Sequence, residues 1–245
     1  MTQPRFKIGL DCRLAGPENA GIGRYIENLV IRLPQLGTEI DWLFICMNQQ
    51  QLDRIKQQLD SQRKKTATNN YQLQLLPIRH YTLGEQTKLP LYLKQQKLDL
   101  LHVPHFNIPV LYGQPLIVTI HDLLWHKQTG LHMTTLKPWL YHFKYLAYRF
   151  VTSRAIDQAQ QIIVPAQTVK QTVCSYFPQA KDKISVIHEG YNPDFKQTSV
   201  TKNFKQQLVY VGSLYPHKNL QLVFKALTKL PQLKLKIVGS RKIFK

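Results

Sequence analysis

Leu208–Gly239 reads LVYVGSLYPHKNLQLVFKALTKLPQLKLKIVG. An apolar run, Leu208–Val211, meets Gly212; a helical pattern follows over Asn219–Leu230, and a second apolar run ends in Ile237-Val238-Gly239. That is one β-α-β unit. A parallel sheet needs several such units to cover both of its faces, and only Ser240–Lys245 follow. The stretch therefore reads as the opening of a second α/β domain that stops early.

Upstream the same alternation runs further. Phe6–Asp11 is a short strand, and Ile22, Tyr25, Ile26, Leu29, Val30 and Leu33 recur at helical spacing up to Pro34. Strands are expected at Ile40–Met47, Leu73–Ile78, Leu98–Pro104, Pro115–Leu123, Gln161–Ala166 and Ile184–Gly190. Helices are expected within 49–70 and over Lys88–Gln96, Pro138–Gln158 and Gln167–Tyr176. Strands alternating with helices predict an α/β fold with a Rossmann-like, doubly wound, mostly parallel sheet. The polar stretch 189–207 has no periodicity and reads as a linker. The expected organisation is a domain over 1–188, that linker, and the first β-α-β unit of a truncated second Rossmann-like domain over 208–245.

With 43% hydrophobic residues the chain can bury a substantial core. Its three cysteines, Cys12, Cys46 and Cys174, lie far apart, which argues against a disulfide framework or a zinc finger. The N-terminus lacks an apolar signal core, and Ile108–Trp125 is broken by Pro109, Gly113, Pro115, His121 and Asp122. A cytoplasmic protein is expected, at most peripheral at the inner face of a membrane.

Lys and Arg number 33 against 14 Asp and Glu, a formal charge of +19, and no acidic residue follows Asp194. Such a field suits phosphorylated ligands, anionic lipid headgroups or nucleic acid. A solvated lysine-rich surface explains it equally well. Specific nucleic-acid binding is disfavoured because no RNP, KH, helix-turn-helix or zinc-finger pattern accompanies the charge.

Ligands of open α/β sheets lie beyond the carboxyl ends of the strands, which selects four places. After the first strand, Gly21 and Gly23 flank Ile22 where a helix begins, either to admit an anion to backbone N–H groups or to make a tight turn. His102 and His105 form HxxH beyond another strand; with His121 they could suggest a metal, but a packed loop histidine is the simpler reading and no metal is expected. His121–Asp122 ends the most β-branched strand. There a histidine can bond a substrate hydroxyl or phosphate, with the adjacent Asp fixing its tautomer. The alternative is a core histidine satisfied by backbone. Finally, Gly212, Ser213, His217 and Lys218 lie between a strand and a helix, where a lysine can reach a diphosphate.

Taken in order, GIGRY, HVPHFNIP, VTIHDL, VPAQTVKQTV with KISVIHEGYNPDF, and YVGSLYPHKNL with LKIVG resemble family-4 glycosyltransferases of the GT-B fold, especially mannosyltransferase-like members. The resemblance covers essentially the whole chain. It implies a retaining hexosyltransferase that moves a sugar, mannose-like by preference, from a nucleotide-sugar donor to a glycan or lipid-linked acceptor. It implies no metal and no other cofactor, in agreement with the lack of a DxD motif. By position, His121 would contact the transferred sugar and Lys218 would stabilise the departing diphosphate. Gly21, Ile22 and Gly23 would border donor and acceptor, with His105, Asp122, Gly212, Ser213 and His217 as further binding residues. Two positions depart from the pattern: Ser213 and His217 stand where many relatives carry arginine.

The family's Glu…Glu donor segment would lie beyond Lys245. The 245-residue chain by itself is therefore expected to transfer no measurable sugar and to bind donors weakly, with a separate chain as one source of the other half. Two competing readings stand beside this one: a binding-only remnant at an acceptor or an anionic membrane surface, and a basic α/β nucleic-acid-binding protein.

Overall fold

The computed structural model describes residues 5–37, 39–63, 70–127, 137–191, 206–212, 214 and 218–239. Seven strands form one sheet: β1 (Phe6–Asp11), β2 (Ile40–Cys46), β3 (Tyr71–Leu75), β4 (Leu100–Val103), β5 (Leu116–Thr119), β6 (Gln161–Val164) and β7 (Ile184–Val186). Their order is β3-β2-β1-β4-β5-β6-β7, and every neighbouring pair is parallel. The chain winds outward from β1 to one edge, then returns to β1 and winds to the other. The crevice beside β1 and β4, where the winding reverses, is the place at which such sheets bind ligands. The α/β, doubly wound architecture matches the reading of the sequence.

Alternation along the strands divides the core into two layers. Leu10, Trp42, Phe44 and Cys46 face a cluster completed by Ile26 and Val30 of α1 (Ala20–Arg32) and Ile55 and Leu59 of α2 (Gln49–Arg63). Leu43, Ile45, Leu101, Val103, Val118 and Ile162 face the other way. They meet Leu89 and Leu93 of α3 (Leu83–Gln95), Ala155 and Ile156 of α5 (Pro138–Gln158), and Val173 of α6 (Gln167–Tyr176). A one-turn helix, α4 (Leu124–Lys127), precedes α5 and has no counterpart in the sequence reading.

Several elements depart from the expected bounds: the strands expected at Pro115–Leu123 and Ile184–Gly190 end at Thr119 and Val186. The third strand ends at Leu75, not Ile78. The third helix starts five residues before Lys88, because Thr82 caps it by accepting from the Glu85 backbone N–H at 3.3 Å. The signal is Thr82-x-x-Glu85, a capping-box spacing.

Residues Met1–Lys127 with Trp139–Gly190 form one compact unit, and Gln128–Pro138 with Tyr191–Lys245 a second. Glu189 and Gly190, read from sequence as the start of the linker, thus belong to the first unit; most of the remaining linker lies outside the described residues. In the second unit β8 (Gln207–Val211) and β9 (Lys234–Val238) pair in parallel with α7 (Leu220–Leu227) between them in sequence. β8 is no strand of the seven-stranded sheet. Gly212 ends β8 with φ 151°, a backbone region that L side chains rarely adopt.

Candidate active site

The loop after β1 is anchored by a buried ionic network. The Asp11 Oδ1 atom accepts from the Arg13 backbone N–H (3.1 Å) and Nε (2.9 Å), while Oδ2 accepts from Arg13 Nη2 (2.7 Å). The same Nη2 donates to Glu85 Oε1 at 2.8 Å, and Nη1 to the Ile78 carbonyl at 3.1 Å. Glu85 also lies 3.0 Å from His80 Nδ1, and its Oε2 accepts from the Tyr81 N–H and the Asn107 amide, each at 2.7 Å. Arg13 is fully buried. Burial by itself pushes both carboxyls up; the Arg13 guanidinium overcomes it at Asp11, and at Glu85 His80 and Arg13 do so together, leaving both below the ordinary range. The network ties together the ends of β1 and β3, the start of α3 and the loop after β4.

His121 lies two residues past β5, on the same edge of the sheet. Its Nδ1 is 3.0 Å from Glu189 Oε1 and its Nε2 is 3.3 Å from the Pro104 carbonyl. Both partners are acceptors, so a neutral ring donates to one of them and a protonated ring to both. Tyr25 of α1 packs edge-on against the imidazole, with ring centroids 4.9 Å apart. Behind it, Tyr25 Oη is 3.2 Å from Thr119 Oγ1, which is 2.9 Å from His102 Nε2. His102 is buried, and burial followed by repulsion from His121 pushes it down to about 4. It is a neutral hydrogen-bonding residue under the site, facing α1 with Leu10, its register partner on β1.

The other expected residues divide. Gly23 is buried in the first turns of α1, and a Cβ there would overlap the Gly16 carbonyl, so this glycine serves the close approach of loop and helix. Gly21 is exposed, and a Cβ on it would meet nothing within 4 Å, so packing does not explain it. Ile22 leans on the core layer beneath α1. His105 Nδ1 takes the Asn107 N–H at 3.3 Å, and its ring packs 3.9 Å from Phe106 and edge-on to Tyr81. Burial pushes it down to about 3, helped by His80 and His121.

Asp122 does not orient His121. Its Oδ1 accepts from the Leu124 N–H at 3.0 Å at the start of α4, and Glu189 occupies the place at Nδ1. Adjacent residues leaving a strand point apart, which is why sequence neighbours make poor partners here. Gly212 and Lys218 lie in the second unit, Lys218 exposed just before α7; Ser213 and His217 fall outside the described residues.

Sequence reading missed Asp11, Arg13, Glu85, Asn107 and Glu189. Asp-x-Arg directly after a strand was a usable signal for the first two. Glu189 gave none, because it meets a histidine 68 positions away. Among the described residues, no group of three His, Cys, Asp or Glu side chains could hold a metal ion.

Residues 19–195 match the sequence profile of Glycosyltransferase Family 4. The chain is 24% identical over 155 residues to the O-antigen chain mannosyltransferase RfbU of Salmonella typhimurium, covering 62% of this chain and 39% of that protein. It is also 24% identical over 167 residues to the uncharacterized glycosyltransferase MJ1607 of Methanocaldococcus jannaschii, covering 59% and 40% respectively. The chain thus spans about two fifths of the length of these curated relatives. Among solved structures it resembles Anabaena Alr3699/HepE in complex with UDP and glucose, with TM-score 0.56 and 17% identity, covering 96% of this chain and 61% of that one. That likeness supports a GT-B fold.

Proposed function

The chain belongs to glycosyltransferase family 4, and from that premise we propose that it serves the retaining transfer of a sugar from a nucleotide-sugar donor to a hydroxyl of a glycan or lipid-linked acceptor. The observation that carries this reading is His121. Its Nδ1 is held by Glu189 at 3.0 Å, and its Nε2 meets the Pro104 carbonyl at the longer 3.3 Å, beyond the carboxyl end of β5 and near the crevice where the winding reverses. A ring fixed in this way meets a sugar hydroxyl at a set angle, and holding a reactant in a near-attack geometry is a large part of catalysis.

In the reaction, the bond from the sugar's anomeric carbon to the diphosphate oxygen breaks. A bond to the acceptor oxygen forms on the same face, and the acceptor's hydroxyl proton passes to the departing diphosphate oxygen. With Nδ1–H donating to Glu189, His121 Nε2 accepts from a hydroxyl of the transferred sugar in place of its contact with Pro104. Lys218, exposed at the entry to α7, offsets the charge that develops on the departing diphosphate. Gly21 leaves the first turn of α1 open to a ligand. No cofactor is required. RfbU, a mannosyltransferase by name, favours mannose as the sugar; the UDP and glucose in the Alr3699/HepE structure make UDP-sugars the second donor class to test.

The test, run with the chain extended to the length of its curated relatives, is a panel of GDP- and UDP-sugars with glycan and lipid-linked acceptors, the anomeric configuration of the product being read by NMR. His121→Ala is expected to lower kcat about a hundredfold or more, the usual scale for losing a positioned catalytic contact, with the fold intact. Lys218→Ala should lower kcat with a smaller change in KM. Inverted product, or unchanged turnover in His121→Ala, overturns the reading.

A further inference from the structure

The first half of α5 turns its apolar residues outward. Trp139, Phe143, Leu146 and Phe150 are 69%, 69%, 67% and 60% exposed. Their spacing of four, three and four residues places them on one stripe within roughly 60° of the helix circumference, at about 100° per residue. Tyr141, Thr152, Ala155 and Ile156 form the buried side of the same helix. Four large side chains exposed in register form a patch of the kind that soluble surfaces seldom leave uncovered.

The charges that flank it on α5 are basic. Arg149 and Arg154 are exposed on α5, and no acidic residue occurs between Pro138 and Ile156. Arg149 falls on one flank of the stripe and Arg154 on the other, by the same helical geometry. An apolar stripe rich in Trp and Phe and bordered by cations is the pattern of a helix lying in a membrane interface, where aromatics sit at headgroup depth and Lys and Arg meet anionic lipid. A protein partner would have to supply both an apolar groove and an acidic border. An anionic bilayer supplies both at once, and the whole chain, at +19, is drawn to it.

We propose that the exposed face of α5, with Trp139, Phe143, Leu146 and Phe150 at its centre, docks the protein on an anionic lipid bilayer. The surface is independent of which sugar is transferred, so it stands or falls separately from the enzymatic reading. On it the protein sits flat, with α5 parallel to the membrane.

The test is co-sedimentation of the full chain with vesicles of phosphatidylcholine alone and of phosphatidylcholine mixed equally with phosphatidylglycerol. Retention is expected on the mixed vesicles only, and it should weaken as salt is raised. Phe143→Ser with Phe150→Ser should lower the partition coefficient at least about tenfold, and Arg149→Gln and Arg154→Gln about fivefold each. Because all four side chains are exposed, Tm should hold. As a readout free of substitutions, lipids brominated in the acyl chain should quench the tryptophan emission of the wild-type chain, through Trp139. Absence of retention on the anionic vesicles, or equal retention of the serine variant, overturns the proposal. So does concentration-dependent self-association that the serine substitutions abolish, which would make a second copy the occupant of this face.

Discussion

β5 and β8 are both short, β-branched parallel strands that open toward a candidate ligand loop, yet they are buried to very different degrees. Val118 of β5 is wholly buried, whereas Val209 and Val211 of β8 are 60% and 74% exposed. The two stretches look alike in sequence; their surroundings differ. β5 has β4 and β6 on either side and α-helices over its face, so its side chains enter a continuous core. β8 has one neighbour, β9, and a unit with one helix between its strands leaves Leu222 and Phe224 of that helix exposed as well. An apolar run states that a strand is suited to burial. How much burial it achieves depends on how many units stack beside it.

The largest effect is expected in the ionic network of the first unit. Arg13→Met removes the cation that compensates two buried carboxylates, and breaking a buried pair in this way costs about 3–5 kcal/mol. Urea unfolding monitored at Trp42, which is buried in the same unit, measures it. A change below about 1 kcal/mol would mean that Asp11 and Glu85 are solvated, contrary to their burial.

This network also marks the limit of what the sequence reveals. The alternation of runs and the glycine-punctuated loops were enough for the doubly wound sheet, because each strand and helix declares itself within about a dozen residues. The place of His121 followed from the rule that loops at the carboxyl ends of strands carry ligands. Its partners did not follow. Asp122 was the neighbour in sequence and proved to cap α4, while Glu189 came from the far end of β7. Arg13 and Glu85 lie 72 positions apart, and nothing local in either segment points to the other. Side-chain pairs joined by the sheet order become visible only once that order is known.

A second effect separates the units by pH. His102 is held neutral in the fold, pushed down to about 4, chiefly by burial. In the unfolded chain a histidine titrates near 6.5. Between those values the unfolded state binds the extra proton, so the stability due to His102 is fully present above about pH 6.5 and is lost as pH falls toward about 4, by about 3 kcal/mol, with His105, pushed down to about 3, adding its own loss over the same range. His102→Gln should flatten that part of the curve measured by urea titration, because glutamine keeps a hydrogen-bonding group beside Thr119 without a titrating ring. The carboxyls of Asp11 and Glu85, held low, add their own loss only at more acidic pH, below about 4. An unaltered profile in His102→Gln would remove His102 as the source.

Smaller effects compare two glycines one residue apart on either side of Ile22. Gly23→Ala drives a Cβ into the Gly16 carbonyl and should destabilise by about 1–3 kcal/mol. Gly21→Ala meets open space in a helix and should stabilise by up to about 1 kcal/mol. If Gly21 admits a ligand, the same alanine should raise KM for donor or acceptor while the protein unfolds later. Equal stability changes at the two positions would break the distinction between a packing glycine and an open one.

The smallest expected effect tests the opening comparison directly, with one substitution placed in both units. Val118→Thr puts a hydroxyl into the sealed layer between the sheet and α5, where a polar group without a partner costs about 1–3 kcal/mol. Val209→Thr makes the same change of shape and chemistry on a side chain 60% exposed. Water already reaches that position, threonine is as suited to a strand as valine, and the change should stay within about 0.5 kcal/mol. Urea unfolding followed by hydrogen exchange at the β5 and β8 amides measures both variants, and exchange should be faster in β8, where fewer buried contacts protect the backbone. If Val209→Thr were as damaging as Val118→Thr, β8 would have to be covered in solution, and the difference in burial between the two strands would no longer describe the protein.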